Sequence, residues 1–286
     1  MTADPAQAPA GTPRRRVAVI VDDFGMAPGV DRAVVELAGA GRLTGTSVLA
    51  LGSHWPVGAR WLRELPGLQV GLHVDLPPGH DALGPALLRA WSRRLKGSLA
   101  DHLEAQFDAF EQHHGRRPDY LDGHRHVHQW PQLRDLILEH WSRRYTTPPG
   151  WARITRPARG VPQAAKAHIV HRLGGPAWEQ RLRRRGIASN VDFLGVYDFS
   201  GGSEHYGALL RQWLACAGDG SLLMCHPAAE AVPDDVISAA RLDEYQVWRS
   251  AALGDWLQAA GCTVLPGEML APMLHASVRT HGLNSI

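Results

Sequence analysis

The sequence predicts an α/β fold, specifically an irregular (β/α) barrel of about seven to eight parallel strands. Apolar runs of strand length alternate with helix-like stretches about seven or eight times along the 286-residue chain. This alternation is typical of parallel strands joined by helical crossovers. No change in composition divides the chain, so we predict one domain over residues 16–270. A disordered N-terminal tail over residues 1–15 and a C-terminal tail over residues 271–286 are expected to flank it.

The first strand is predicted over residues 17–21, an apolar run rich in β-branched side chains that suits a strand buried on both faces. Later strands are predicted over residues 46–51, 68–76, 118–124, 152–155, 191–196, 220–225 and 262–265. Helices are predicted over residues 29–40, 57–64, 99–114, 132–141, 164–185, 208–217 and 241–260. The helix over 99–114 is strongly amphipathic, with Leu103, Phe107 and Phe110 at helical spacing.

Composition and charge exclude several classes of protein. The formal net charge is only +2, which predicts no nucleic-acid partner. Cys216, Cys225 and Cys262 form no CxxC pair, which argues against a zinc ribbon or a disulfide framework and suits a reducing cytoplasm. Residues 1–12 lack the apolar stretch of a signal peptide, and no run of about 18 apolar residues predicts a transmembrane segment. We therefore expect a cytoplasmic protein, and a homodimer is compatible with the sequence.

Acidic and histidine side chains stand where predicted strands end. Asp22 and Asp23 close the first strand, His73 lies late in the third, and His226 follows the strand over 220–225. The carboxyl ends of parallel strands gather at one rim, where such folds build their active sites. Two adjacent carboxylates repel each other, and a divalent cation removes that cost. An aspartate-capped turn would also explain the pair, and a buried core histidine would explain His73.

A second polar group follows the fourth strand, in the segment DGHRHVH at residues 122–128. If this segment is extended, His124, His126 and His128 share one face and form a metal neighbourhood. A surface histidine cluster in a polar loop is the alternative. One carboxylate and two imidazoles suit Zn²⁺, Co²⁺, Mn²⁺ or Mg²⁺. Such a cation lowers the pKa of a bound water and polarises a carbonyl oxygen, as hydrolysis of an amide or ester requires.

Five motifs, taken together, resemble those of the YdjC-like carbohydrate deacetylases. This family includes chitooligosaccharide deacetylases and deacetylases associated with hopanoid biosynthesis. The motifs are VIVDDFGMAPGVDRAVVELAGAGRLTGTSVL at 19–49, GLHVDL at 71–76, RRPDYLDGHRHVHQWPQL at 116–133, LLMCHPA at 222–228 and DEYQVWRSAAL at 243–253. The resemblance covers residues 16–270. It implies a barrel-like (β/α) fold and removal of an acetyl group from an N-acetylated sugar or glycolipid.

The resemblance also implies a role for individual residues. Asp23, His73 and His124 would hold one divalent metal ion, with magnesium or zinc expected and cobalt or manganese as alternatives. Asp22 would be the general base. His226 is our candidate for the general acid that protonates the leaving amine.

Four further residues are candidate contacts with the substrate: Arg153, His126, His128 and Trp130. A guanidinium at Arg153 can bind a carboxylate, a phosphate or a sugar hydroxyl, and a surface salt bridge is the alternative. The ring of Trp130 can stack on a sugar face, and ordinary packing is the alternative. Because the same metal would serve hydrolysis of a phosphoester or of a non-sugar amide, that activity is the alternative to deacetylation.

Overall fold

The computed structural model describes residues 15–78 and 96–282. Within these residues, eight strands and ten α-helices alternate along the chain. The strands are β1 (Arg15–Phe24), β2 (Gly45–Val48), β3 (Gln69–Val74), β4 (Tyr120–Gly123), β5 (Trp151–Ala152), β6 (Phe193–Leu194), β7 (Ser221–Cys225) and β8 (Cys262–Val264). Each strand overlaps a strand that the sequence predicts, and most are shorter than predicted.

The helices lie between the strands and after the last of them. They are α1 (Pro28–Gly39), α2 (Trp55–Arg63), α3 (Lys96–His114), α4 (Leu133–Arg144), α5 (Ala164–Arg172), α6 (Gly175–Arg184), α7 (Gly202–Cys216), α8 (Ser238–Arg249), α9 (Ala252–Ala259) and α10 (Gly267–Gly282). A 3-10 helix, His124–Gln129, follows β4. Residues 1–14 of the predicted N-terminal tail lie outside the described residues. Helix α10 extends past residue 270 and buries Leu274 against the core.

All strand pairs are parallel, in the order β5-β4-β3-β2-β1-β7-β6, and β8 also pairs with β1. The sheet curls so that its two edges approach each other. Isolated bridges join Ala152 to Ser189 and Pro157 to Phe193 across this opening. The fold is therefore an irregular α/β barrel, which confirms the fold class that the sequence predicts.

Strand β1 is the centre of the sheet. Its residues Val17 to Val21 are fully buried and pair with Ser221 to Cys225 of β7. The other edge of β1 pairs with β2, and the first residues of β1 pair with β8. The β-branched run therefore forms a strand with both faces inside the molecule, as its composition predicts.

The sequence predicts one long helix over residues 241–260, and the structure has two helices there. Helix α8 ends before Ser250, whose ψ of 151° is extended and cannot continue a helix. Helix α9 begins at Ala252.

Among the described residues, no helix combines the length and apolar character that a membrane span needs.

Candidate active site

A cavity of about 220 Å³ opens at the carboxyl ends of the strands. It is lined by Asp22 and Asp23 of β1, by His73 of β3, by His124 of the 3-10 helix and by His226, which follows β7. Side chains at or just after the ends of four separate strands therefore line the same cavity. This is the rim on which parallel α/β folds place their reactive groups.

A local break in β1 turns both aspartates towards this cavity. In a regular strand, neighbouring side chains point to opposite faces. Here the register between β1 and β2 shifts between Val21 and Phe24, and Asp23 has a left-handed φ of 69°. The N–H of Met26 then donates to the carbonyl oxygen of Asp23 in a tight turn, at 3.1 Å. Because of this turn, Asp22 and Asp23 both line the cavity although they are adjacent in the chain.

Asp23, His73 and His124 form a group suited to holding a metal ion. Their ligand atoms all lie within 4.8 Å of one another. The Asp23 Oδ1 atom is 2.8 Å from Nδ1 of His124 and 3.5 Å from Nε2 of His73. Two imidazole nitrogens thus converge on one buried carboxylate oxygen, which is the donor set of an open site for Zn²⁺ or a similar divalent ion. The residues present therefore fit such an ion.

A second group, formed by Asp22, His73 and Asp122, is also compact enough for a metal. Its two carboxylates already pair with a positively charged side chain, because the Arg153 guanidinium lies 2.6 Å from both Asp22 Oδ1 and Asp122 Oδ2. Placing a divalent ion beside that guanidinium would add a like charge in a buried site. The group containing Asp23 is therefore the better candidate.

Asp122 fixes the ring of His73. Its Oδ1 atom is 2.6 Å from Nδ1 of His73, which leaves Nε2 to face Asp23. Burial alone would lower the pKa of His73, but the charges of Asp122 and Asp22 raise it to about 10. A metal ion at Nε2 would take the place of the proton that this raised pKa favours. Carboxylate partners of this kind orient histidine ligands and make them more basic.

Arg241 of α8 fixes the second oxygen of Asp23. One guanidinium nitrogen of Arg241 donates to Asp23 Oδ2 at 2.6 Å, and its Nε donates to Asp235 Oδ2 at 2.5 Å. Arg241 was not among the site residues predicted from the sequence. A signal was present, because Arg241 and Glu244 fall on the same buried stripe of α8 as Tyr245 and Trp248. Charges on an apolar helix stripe need partners, and here one partner is a candidate metal ligand.

Asp22 is held by Arg153. Two guanidinium nitrogens of Arg153 donate to the two carboxylate oxygens of Asp22, at 2.6 and 2.7 Å. Burial alone would raise the pKa of Asp22, but Arg153, His73 and His226 outweigh burial and hold it below its ordinary value. Asp22 is therefore ionised at neutral pH, with its orientation set by a two-pronged contact.

This geometry corrects the interpretation of Arg153 as a substrate contact. Its side chain is 0% exposed and does not line the cavity. The guanidinium lies behind Asp22, where it also bonds Asp122 and approaches Ser47 Oγ at 3.3 Å. No surface of this group is left for a substrate, so its partners are the carboxylates of the site itself.

The histidine segment is not extended, so the prediction that its three histidines share a face is wrong. Arg125 and His126 have left-handed φ angles of 49° and 60°, which turn the chain into the 3-10 helix. His124 and His126 line the cavity, whereas His128 is fully buried, with Nε2 3.2 Å from the carbonyl oxygen of Arg153. Burial, with Arg153 nearby, lowers the pKa of His128 to about 3, so its ring is neutral.

Trp130 also lies away from the cavity. It is 3% exposed and packs in the hydrophobic core, which is the alternative that the sequence left open. The aromatic side chains that line the cavity are Tyr197 and Phe199, in the segment after β6. Their sequence context carries no sugar-binding signal, and only the curl of the sheet brings this segment to the rim.

His226 faces Asp22 across the cavity. Its Nε2 atom is 3.9 Å from Asp22 Oδ2, and its ring packs edge-on against Phe199 with centroids 5.2 Å apart. The position directly after β7 explains this placement, because the strand ends at Cys225 and points its next side chain to the rim. The structure thus brings Asp22, Asp23, His73 and His226 together around one cavity.

Comparison with known protein families and curated sequences gives a family match along most of the chain and partial matches to curated relatives. The family model for YdjC-like proteins matches residues 16–259. A chitooligosaccharide deacetylase of Enterobacter sp. (strain 638) is 32% identical over 139 residues, which are 44% of this chain and 55% of that protein. A chitooligosaccharide deacetylase of Salmonella newport (strain SL254) is 33% identical over 136 residues, 43% of this chain and 54% of that protein. The match spans about half the length of these curated relatives.

A solved structure supports the fold. It is described as a candidate cellobiose-phosphate cleavage protein of Enterococcus faecalis V583, and it aligns with a TM-score of 0.62 at 20% sequence identity. The alignment covers 90% of this chain and 99% of that one. The likeness therefore extends over most of the chain.

Proposed function

Because this chain belongs to the YdjC-like protein family, we propose that it is a metal-dependent hydrolase that removes an acetyl group from an N-acetylated sugar. The observation that carries the proposal is the meeting of two kinds of group in one cavity. Asp23, His73 and His124 offer a metal-binding set, and Asp22 and His226 stand beside it as proton-transferring groups. The relatives described as chitooligosaccharide deacetylases support an acetylated sugar as the substrate class.

Asp23, His73 and His124 would hold the ion. A divalent cation bound there supplies a Lewis acid, which lowers the pKa of water and polarises a carbonyl oxygen. The donor set accepts Zn²⁺, Co²⁺, Mn²⁺ or Mg²⁺. Asp122 and Arg241 keep the His73 and Asp23 side chains in place, through the contacts at 2.6 Å described above.

Asp22 would act as the general base that takes a proton from the attacking water. A base must be unprotonated before the reaction, and Arg153 keeps Asp22 so. The two-pronged contact also restricts rotation of the carboxylate, so one oxygen stays directed towards the cavity. Positioning of this kind saves the entropy that a mobile base would lose in the transition state.

His226 would act as the general acid for the leaving nitrogen. Its Nε2 atom faces the cavity and lies near Asp22 Oδ2, so the base and the acid flank the same space. When the carbon–nitrogen bond breaks, the amine nitrogen needs a proton, and the imidazolium form of His226 can donate it.

The walls of the cavity suit the sugar. Met26, Phe199 and Ile237 form apolar surface around the charged groups, and Val236 stands 92% exposed at the mouth. Sugar rings have apolar faces as well as hydroxyl edges, so Phe199 is our candidate for the ring that stacks on the substrate. It takes the place that the sequence analysis gave to Trp130.

Acetate release from a panel of N-acetylated sugars, chitooligosaccharides and glycolipids tests the proposal. Each substrate is assayed after removal of metals and after addition of Zn²⁺, Co²⁺, Mn²⁺ or Mg²⁺ singly. We expect release with at least one metal and none after chelation. Asp22→Asn should lower kcat by about 100-fold or more, as loss of a general base does. Asp219→Asn, at a surface salt bridge with Arg16, is the control.

Two results would contradict the proposal. One is full activity of Asp22→Asn on every acetylated substrate, which would remove the assigned base. The other is hydrolysis of phosphoesters in a parallel panel without any acetate release, which would assign the same metal site to a different reaction.

A further inference from the structure

A buried carboxylate stands behind His226. Glu244 of α8 is 0% exposed, and one oxygen, Oε2, accepts a hydrogen bond from the backbone N–H of His226 at 2.5 Å. The other oxygen, Oε1, accepts from the hydroxyl of Tyr197 at 2.8 Å and lies 3.8 Å from Nδ1 of His226. The residue belongs to the motif DEYQVWRSAAL at 243–253, to which the proposed chemistry gives no role.

We propose that Glu244 is a positioning residue, which holds His226 with a proton on Nδ1 so that Nε2 faces the leaving nitrogen. This inference rests on the proposed function, in which His226 is the general acid. In the step concerned, the carbon–nitrogen bond of the substrate breaks and the proton on Nε2 passes to the amine nitrogen. His226 is left neutral, with its remaining proton on Nδ1 directed at Glu244.

The two ring nitrogens of His226 have different surroundings. Nε2 faces the cavity and Asp22, whereas Nδ1 is buried without a hydrogen-bond partner among the described residues. A buried N–H without an acceptor is costly, and among the described residues Glu244 provides the carboxylate oxygen that lies within 4 Å of this nitrogen, Oε1 at 3.8 Å. Catalytic hydrogen bonds are often long before the substrate binds, so 3.8 Å is a distance from which the contact can close.

Charge favours the same pairing. Within residues 15–78 and 96–282, Glu244 forms no salt bridge other than the one with His226. Its two hydrogen-bond donors, the Tyr197 hydroxyl and a backbone N–H, are both neutral. A buried carboxylate is stabilised most by a nearby positive charge, and a protonated His226 provides one. Each group thus stabilises the ionised form of the other.

The other groups around His226 leave this role to Glu244. From β1, Asp22 faces Nε2 at 3.9 Å and not Nδ1. From α8, Arg241 directs one guanidinium nitrogen at the carbonyl oxygen of His226, at 3.4 Å. From the segment after β6, Phe199 contributes an uncharged ring edge-on to the imidazole. Glu244 is therefore the charged group that meets the buried side of the imidazole.

The first test needs no turnover. Long-range ¹H–¹⁵N NMR of the zinc-loaded protein reports the pKa and the tautomer of each imidazole, and His226→Gln identifies the His226 signals among those of the 16 histidines. In Glu244→Gln we expect the Nδ1–H tautomer of His226 to lose population, because the carboxylate that faces Nδ1 is gone. Asp243→Asn, which removes the neighbouring carboxylate of α8, is the matched control. An unchanged tautomer population of His226 in Glu244→Gln would overturn the proposal.

The second test uses acetate release. Glu244→Gln should lower kcat by about 10- to 100-fold with KM nearly unchanged. In a His226→Gln background, Glu244→Gln should have no further effect, because it acts through the missing imidazole. Additive losses would overturn the proposal. If wild type releases no acetate from any substrate, the proposed function fails, while the NMR result still decides the role of Glu244.

Discussion

The adjacent carboxylates of Asp22 and Asp23 differ in environment because each pairs with a different arginine. Asp22 pairs with Arg153, and Asp23 pairs with Arg241. Arg153 holds both oxygens of Asp22, whereas Arg241 holds one oxygen of Asp23 and leaves the other facing two imidazoles. The arrangement therefore gives one aspartate the environment of a fixed base and the other that of a metal ligand.

Arg153 offers a direct test at the scale of one residue. Arg153→Met should lower the free energy of unfolding by about 3–5 kcal/mol, because it removes the buried guanidinium that both Asp22 and Asp122 contact. The pKa of Asp22 should rise, since burial is then opposed by fewer positive charges. The acid limb of the activity profile should accordingly move to higher pH. Urea denaturation and pH–rate profiles measure both effects.

Arg156→Met is the control for that change. Arg156 lies three residues further on and is half exposed, so its loss should alter neither stability nor the pH profile appreciably. Equal stability of Arg153→Met and wild type would mean that the two carboxylates do not depend on the guanidinium.

The burial of His114 should make the free energy of unfolding depend on pH. Its ring is buried among Trp55 and Phe110, and neither ring nitrogen has a hydrogen-bond partner among the described residues. Burial, with help from Arg116 and Arg63, lowers its pKa to about 4, against an ordinary value of 6.5. As pH falls from 6.5 to 4, the unfolded chain binds a proton that the folded chain refuses, so stability is lost over that interval.

The variant His114→Leu should reduce this acid-induced loss of stability. We expect the difference in unfolding free energy between pH 6.5 and pH 4 to shrink by about 2 kcal/mol. Urea denaturation at several pH values measures it. Gln112→Leu, an exposed change in the same turn of α3, should keep the wild-type profile. A parallel profile for His114→Leu and wild type would show that another group controls the acid limb.

At the scale of elements, β3 and β4 meet at a glycine. A Cβ atom at Gly71 would lie 2.3 Å from the Tyr120 ring, which stacks on Trp151 with centroids 4.1 Å apart. The Tyr120 hydroxyl forms a hydrogen bond with Ser47 Oγ at 2.8 Å. The Ser47 hydroxyl in turn donates to Asp122, the partner of His73. Packing at one position in β3 is therefore linked to a candidate metal ligand.

Gly71→Ala should lower the unfolding free energy by about 1–3 kcal/mol, because the ring and the strand must move apart. It should also weaken metal binding, since Tyr120, Ser47 and Asp122 move together. Thermal unfolding and metal titration by calorimetry measure the two effects. The control Gly254→Ala lies in helix α9, where an added Cβ meets nothing within 4 Å. Unchanged metal affinity in Gly71→Ala would separate this packing from the site.

Elements with a strong local pattern were predictable from the sequence. Strands β1 and β7 are apolar runs that stay buried on both faces, and Asp22 and Asp23 near the end of β1 line the same cavity as His226, which follows β7. The segment 122–128 was not predictable in the same way. Its backbone depends on left-handed angles at Arg125 and His126, and side-chain periodicity carries no information about such angles.

Partners that are distant in sequence account for most of the rest. Arg153 and Asp22 are 131 residues apart, and Arg241 and Asp23 are 218 residues apart. Which strand ends face each other depends on the curl and order of the whole sheet, so the sequence alone left Arg153 open to a role at the substrate. Arg241 was missed because its partner lies at the opposite end of the chain.

For the whole molecule, metal binding should raise thermal stability. The proposed ligands come from β1, β3 and the segment after β4, so an ion would bind the folded chain and not the unfolded one. At a metal concentration about 100-fold above Kd, the gain is about 2.7 kcal/mol. Differential scanning calorimetry should show a higher Tm with the activating metal and its reversal by chelation.

Asp23→Asn should remove this dependence, and Asp219→Asn should keep it. A metal-induced rise in Tm of equal size in Asp23→Asn would place the ion elsewhere in the protein. The comparison is valid at one pH, because the imidazole ligands bind protons in competition with the metal.

The strands and the connecting segments contribute different parts of the cavity, which matters for engineering the protein. The groups of the proposed mechanism lie in β1 and β3 or directly after β4 and β7, while Phe199 and residues 235–237 of the cavity wall belong to connecting segments. Loops tolerate exchange far better than central strands do. We expect that grafting these two segments from a relative would transfer the relative's substrate preference. The reaction itself should stay the same. Under the proposed function, the strand ends would carry the reacting groups and the loops would select the substrate.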